Sequence, residues 1–138
     1  MATAATVEPD LLQLATLNDG TQIRLAEEGL PTESVAQLRS LGITFTEVAE
    51  IVIPPRTLKH RITRRERLST EESERLLRVV RIVALADRVF GDREKALDWL
   101  RIPDPRLDDR SCLSLLRTEA GGKLVESMLW GIAEGVYS

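Results

Sequence analysis

"LSTEESERLLRVVRIVALADRVFGD", residues 68–92, carries the longest unbroken helical pattern in the chain. Ser69 followed three residues later by Glu72 is a capping-box signature, and acidic residues crowd the first turn, where the helix dipole favours them. Leu76, Val79, Val80, Val83, Ala86 and Phe90 recur at helical spacing and form a wide apolar face. Gly91 stops the helix and Asp92 caps a shorter one, "REKALDWLR". A helix of this length and amphipathicity needs other helices to cover it, and the rest of the chain supplies helical patterns only.

Upstream, residues 1–8 read as a disordered lead, and "DLLQLATL" is a short apolar segment closed by a turn signal at Asn18-Asp19-Gly20. "GLPTESVAQLRSLGI" predicts a helix with Val35, Leu38 and Leu41 inward and Gly42 at its end. "TFTEVAEIV" predicts another, capped by Thr44 or Thr46. Ile53-Pro54-Pro55 breaks it, and Pro55 suits the first turn of a new helix, "PRTLKHRI". Downstream, "IPDPRLDDR" reads as a proline-set loop, Ser111 starts "CLSLLRT", and Thr118 starts "EAGGKLVESMLWGIAEG". In that last helix Leu124, Val125, Met128, Leu129 and Ile132 make one stripe, closed by Gly135. No period-two alternation and no internal repeat occurs. The fold class is all-α: an N-terminal helix-turn-helix region over residues 1–67, then the long helix and a compact helical domain over 68–138, with its core at 85–138.

Composition narrows the function. The 138 residues are 43% hydrophobic but only 4% aromatic, so the core is built from Leu, Val, Ile and Ala. No window is apolar enough to span a membrane, and "MATAATVEPD" lacks a signal-peptide pattern, which implies a cytoplasmic protein. Net charge is −3, yet residues 56–67 hold six basic side chains against Glu66 alone, while residues 1–55 hold two against eight acidic ones. Phosphate binding responds to local field, so this segment is a candidate nucleic-acid contact although the rest of the chain would repel DNA.

Two short helices joined by a tight turn, the second basic, are what a helix-turn-helix requires. Val48, Ala49 and Val52 pack the first, and Leu58 and Ile62, four apart, face the core from the second. Arg56, Thr57, Lys59, His60 and Arg61 then point outward toward base edges or phosphates, with Arg64, Arg65 and Arg67 placed to hold phosphates. The bland alternative is a solvated basic helix end with a charged linker. A glycine is usual in such a turn, and here the turn reads Val52-Ile53-Pro54-Pro55.

At these residues the chain resembles the Xre/MbcA/ParS-type antitoxins, in particular those paired with RES-domain toxins. The resemblance rests on "IPPRTLKHR" followed by "LSTEESERLLRVVRI", and on the block from Val89 to Tyr137. In that block Phe90-Gly91-Asp92, Ala96, Trp99-Leu100, Leu107, Leu115-Leu116, Thr118, Gly121, Val125 and Gly135 follow the family pattern. Cys112 stands where the family often has proline, and Asp109 where it often has glycine. The resemblance implies an Xre-like DNA-binding half and a toxin-binding half that covers the toxin's active-site entrance. It further implies a homodimer that represses its own operon at operator DNA with the toxin bound, and a toxin partner that degrades NAD. The toxin-binding set it suggests is Trp130, Glu134, Gly135, Val136, Tyr137 and Ser138. An apolar end after a helix-stopping glycine can insert into a cleft, with Tyr137 as anchor, or fold back as a hydrophobic C-cap. A stand-alone helix-turn-helix regulator with a C-terminal dimerisation domain is the alternative reading. An interaction protein whose basic stretch serves an acidic partner is a third.

Other residues read as structural. Trp99 sits with Ala96 and Leu100 and belongs to the core. Arg75, Arg78 and Arg81, three apart, suggest a solvated face paired with Glu71, Glu72 or Glu74. No catalytic constellation stands out. The one histidine lies among arginines, and the one cysteine, Cys112, excludes an internal disulfide and a cysteine-rich zinc site, though a helix start there could favour its thiolate. "EAGGK" lacks the context of a phosphate loop, and Asp104, Asp108 and Asp109 are too irregular for a metal site. The reading is therefore not an enzyme, with no cofactor and no metal.

Overall fold

The computed structural model describes residues 11–135 and is built on helices: α1 (Leu11–Leu14), α2 (Asp19–Glu28), α3 (Glu33–Ser40), α4 (Phe45–Ile51), α5 (Pro55–Thr63), α6 (Thr70–Phe90), α7 (Arg93–Arg101) and α8 (Glu119–Ala133). Between α7 and α8 lie two two-residue strands, β1 (Pro103–Asp104) and β2 (Arg110–Ser111), paired antiparallel around a single 3-10 turn (Pro105–Leu107), and then the longer 3-10 helix, Leu113–Arg117. The hairpin is too small to alter the all-α class. The expected lead over residues 1–8 falls outside the described residues.

Helix α6 is the axis. Leu76, Leu77, Val79, Val80, Ile82, Val83 and Ala86 are all buried, so its apolar surface wraps well beyond one face, as expected of a helix surrounded by neighbours. It packs on α2 and α1 from the N-terminal half and on α7, α8 and the 3-10 helix from the C-terminal half. One core therefore serves both halves. Its ends match the sequence: Ser69 Oγ accepts from the Glu72 amide, Glu72 Oε1 accepts from the Ser69 amide at 2.8 Å, and Gly91 closes the helix at φ 72°.

The sequence reading misses α2. Asn18-Asp19-Gly20 is a helix start instead of a turn, because Asn18 Oδ1 accepts from the Thr21 amide at 2.8 Å as an N-cap. Asn, Asp and Gly serve turns and caps alike, and only the helix that follows distinguishes them. At α4 the cap is Thr44, with a complete capping box to Glu47.

The three arginines of α6 also depart from expectation. Arg75 Nε donates to the Val52 carbonyl at 2.9 Å, Arg78 Nη1 to the Leu116 carbonyl at 3.0 Å, and Arg81 Nη1 to Gln22 Oε1 at 3.3 Å. A step of three residues turns about 60° short of a full rotation, so the three fan around the helix and each meets a different neighbour. Arg78 is buried, and its guanidinium also pairs with Glu119 at 3.3 Å across the start of α8.

Glycine is essential at that start. A Cβ on Gly121 would sit 1.9 Å from the Leu115 carbonyl oxygen, and one on Gly122 would meet the Arg78 side chain at 2.8 Å. Gly121→Ala is therefore expected to lower the thermal midpoint of the chain by several degrees, since a backbone carbonyl must be displaced. Gly20→Ala, where the nearest neighbour lies at 3.5 Å inside α2, is expected to leave it equal or higher. Circular-dichroism melts of the two variants check the pair.

Candidate nucleic-acid and partner interfaces

Helices α4 and α5 and the turn between them are the segment in which the sequence places a helix-turn-helix. Val48, Ile51, Val52 and Ile53 are buried, and Ala49 is half-buried. The turn works without glycine because nothing in it needs a positive φ: Val52 stays in the right-handed region and Pro54 is extended at φ −62°, ψ 147°. The Ile53 amide donates back to the Val48 carbonyl at 3.0 Å, and Pro55 opens α5 where no amide donor is required.

Helix α5 has no fully buried residue. Arg56, Lys59, His60, Arg64 and Arg65 are exposed, and Thr57 is half-buried. Leu58 packs against the core as expected, but Ile62 does not: it is 54% exposed. With Phe45, itself 53% exposed beneath the Arg39 guanidinium, Ile62 borders an apolar groove of about 480 Å³ between α3, α4 and α5.

Arg61 leaves the outward set. Its Nε and Nη2 hold both oxygens of Glu72 at 2.8 and 3.1 Å, and its Nη1 reaches Glu66 at 3.2 Å. Glu72 is buried, so it demands a partner, and α5 lies close enough to α6 to supply one. Arg67 is likewise taken, donating to the Gly29 carbonyl at 2.9 Å. Sequence spacing alone could not separate these two clamps from their exposed neighbours.

A second capping glutamate is used the same way. Glu47 closes the α4 capping box, and Arg101 of α7 grips its two oxygens at 2.7 and 2.9 Å. Burial pushes the Glu47 and Glu72 carboxyls up, but the arginine bonds and the capping amides outweigh it and hold both below the ordinary value.

At the C-terminal end, Trp130 is 45% exposed and Glu134 and Gly135 are exposed. Val136, Tyr137 and Ser138 lie outside the described residues. Leu124 leaves the expected stripe: Val125 and Leu129 are buried, Met128 and Ile132 half-buried, and Leu124 is 44% exposed beside the solvent. Trp99 is half-buried, packs against the core and meets the Phe90 ring at 5.7 Å. Cys112 is buried, and burial pushes its thiol up to about 11, which overturns the expectation of a stabilised thiolate. Among the described residues no group of three His, Cys, Asp or Glu side chains converges on a metal-sized site, and no helix is long and apolar enough to cross a membrane.

Two family models match this architecture: an antitoxin Xre-like helix-turn-helix domain over residues 21–81, and the antitoxin Xre/MbcA/ParS C-terminal toxin-binding domain over residues 85–135. The chain belongs to the Xre/MbcA/ParS antitoxin family. It is 38% identical over 108 residues to an antitoxin Xre of Pseudomonas putida, covering 78% of this chain and 68% of the relative. It is 41% identical over 87 residues to one of Yersinia enterocolitica (62% and 59%), and 30% identical over 120 residues to one of Photorhabdus laumondii (83% and 79%). This family places a DNA-binding and a toxin-binding domain in one chain and makes it a binding protein, not an enzyme. Helix α6 runs through both matched regions, which is why the two halves share a core.

The two clamped glutamates make stability depend on pH with a definite sign. Their folded-state values lie below the unfolded one, so their contribution is complete above about pH 4.5 and is lost as pH falls through the depressed values. Arg61→Gln is expected to cost about 1–3 kcal/mol at neutral pH. It should also flatten the acid limb of stability against pH, read by urea denaturation between pH 3 and 7.

Proposed function

We propose that this chain neutralises a RES-domain toxin that degrades NAD, by covering the entrance to the toxin's active site, and represses its own operon by reading operator DNA with α5. The observation that carries the DNA half of this reading is a set of exposed side chains on and just beyond one short helix: the cations Arg56, Lys59, Arg64 and Arg65, unpaired among the described residues, with His60 beside them. Arg56 and Lys59, three apart, share one face of α5 and can enter a groove together. Thr57 supplies a hydroxyl for base or phosphate, and Arg64 and Arg65 hold the flanking backbone.

The toxin half is supported by the exposed Trp130 near the end of α8, with Glu134, Gly135, Val136, Tyr137 and Ser138 following it. Aromatic side chains with a large apolar area make effective anchors in a partner's cleft. Steric cover is the mechanism: NAD cannot reach chemistry whose entrance is filled. Phe45 and Ile62, exposed on the same groove, support a homodimer within the toxin complex. Operator DNA and an NAD-degrading toxin both place the complex in the cytoplasm.

Arg56→Glu with Lys59→Glu is expected to abolish the gel shift of the chain's own promoter and to leave toxin co-purification intact. An unchanged shift would remove α5 as the reading helix. Trp130→Ala combined with deletion of residues 136–138 is expected to raise NAD consumption in cells expressing the toxin, with promoter binding preserved. NAD levels equal to those with the intact chain would remove the C-terminal end from the toxin contact.

A further inference from the structure

A cleft of about 410 Å³ lies where the helix-turn-helix meets the C-terminal half. Its one wall is the turn Val52–Pro54, with Glu50 at the end of α4. The other is formed by Arg110 of β2, and by Ser114, Arg117 and Thr118 along and just after the 3-10 helix, while Arg75 of α6 also lines it. Arg110 and Arg117 are exposed, and their side chains have no ion-pair or hydrogen-bond partner among the described residues. Arg75 spends one nitrogen on the Val52 carbonyl and keeps its others. Among the described residues three guanidiniums and the Thr118 hydroxyl thus line this concave site with a single carboxylate, Glu50, while the Ser114 hydroxyl is already given to the Ser111 carbonyl at 2.7 Å.

The geometry points to a DNA phosphate as the occupant, so that the C-terminal half is itself part of the DNA interface. This rests on the reading of α5 as the recognition helix. Three features select DNA. Pro54, in the cleft wall, is two residues from Arg56, within about 7 Å of chain, so a backbone strand flanking a groove occupied by α5 passes the cleft. Arginine and threonine side chains, here Arg75, Arg110, Arg117 and Thr118, are usual donors to phosphate oxygens. Among the described residues no aromatic ring lines the cleft to give a platform for the base of a free nucleotide. The toxin is the less suited partner, because Thr118 starts α8 at the cleft while Trp130 lies near its other end, in a helix about 22 Å long. The two ends of α8 thereby serve different partners.

Arg110→Gln with Arg117→Gln removes the two unpaired cations and leaves the structural bond of Arg75 in place. Fluorescence anisotropy of the full chain, with and without its toxin, against the labelled promoter and a scrambled duplex over a salt series reads the effect. The expected result is about tenfold weaker binding to both duplexes at moderate salt, and a slope of log affinity against log salt reduced by about 2. Preference for the promoter, toxin co-purification and thermal midpoint should stay as in the intact chain. Unchanged affinity and slope, in an assay where Arg56→Glu with Lys59→Glu abolishes binding, would overturn the cleft and leave the α5 reading standing. No DNA binding by the intact chain, with or without toxin, would overturn both. Loss of toxin association with DNA binding preserved would reassign the cleft to the toxin. A thermal midpoint raised by inorganic pyrophosphate in the intact chain but not in the double variant, with DNA binding unaffected, would reassign it to a small anion.

Discussion

Helix α6 presents apolar side chains around most of its circumference, and burying them is only possible if both halves of the chain close on it at once. Each buried Leu or Val contributes on the order of 1.5–3 kcal/mol relative to exposure, and α6 supplies Leu76, Leu77, Val79, Val80, Ile82 and Val83 to one core. Neither the helix-turn-helix nor the C-terminal helices has a comparable apolar face of its own to close on. The DNA-binding and toxin-binding domains of this antitoxin therefore share a single central element.

Polar clamps fix how the outer helices sit on that element. Glu47 and Glu72 each accept from the N-cap amide of a capping box, Thr44 and Ser69, and from a guanidinium of another helix, Arg101 from α7 and Arg61 from α5. A carboxylate with two oxygens can do both, so a local capping device becomes a long-range tie. Arg75, Arg78 and Arg81 extend the same logic from α6 to the turn between α4 and α5, the C-terminal half and α2. Arginine suits this role because its stem packs along apolar surface while its fork reaches backbone carbonyls at the edge of the core.

The consequence is a division among chemically similar residues. Of the basic cluster, Arg61 and Arg67 are spent inside the molecule, whereas Arg56, Lys59, His60, Arg64 and Arg65 stay available. The cleft between the turn and the 3-10 helix adds Arg110 and Arg117, remote in sequence from the cluster but next to its turn in space. On α8, Leu124 and Trp130 remain exposed while Val125 and Leu129 are buried.

Patterns confined to one helix turn were legible in the sequence. The bounds of α6, its capping box, the proline start of α5 and the basic density of residues 56–67 all depend on neighbours within four positions, and local chemistry decides them. The start of α2 was not legible, because Asn18-Asp19-Gly20 serves a turn and a cap equally well until the following helix finds a surface to pack on. The fates of Arg61, Arg67, Arg78 and Ile62 were decided only in three dimensions. Whether a charge is free or clamped, and whether an apolar side chain is covered, depends on which distant helix arrives beside it, and a helical period carries no information about that.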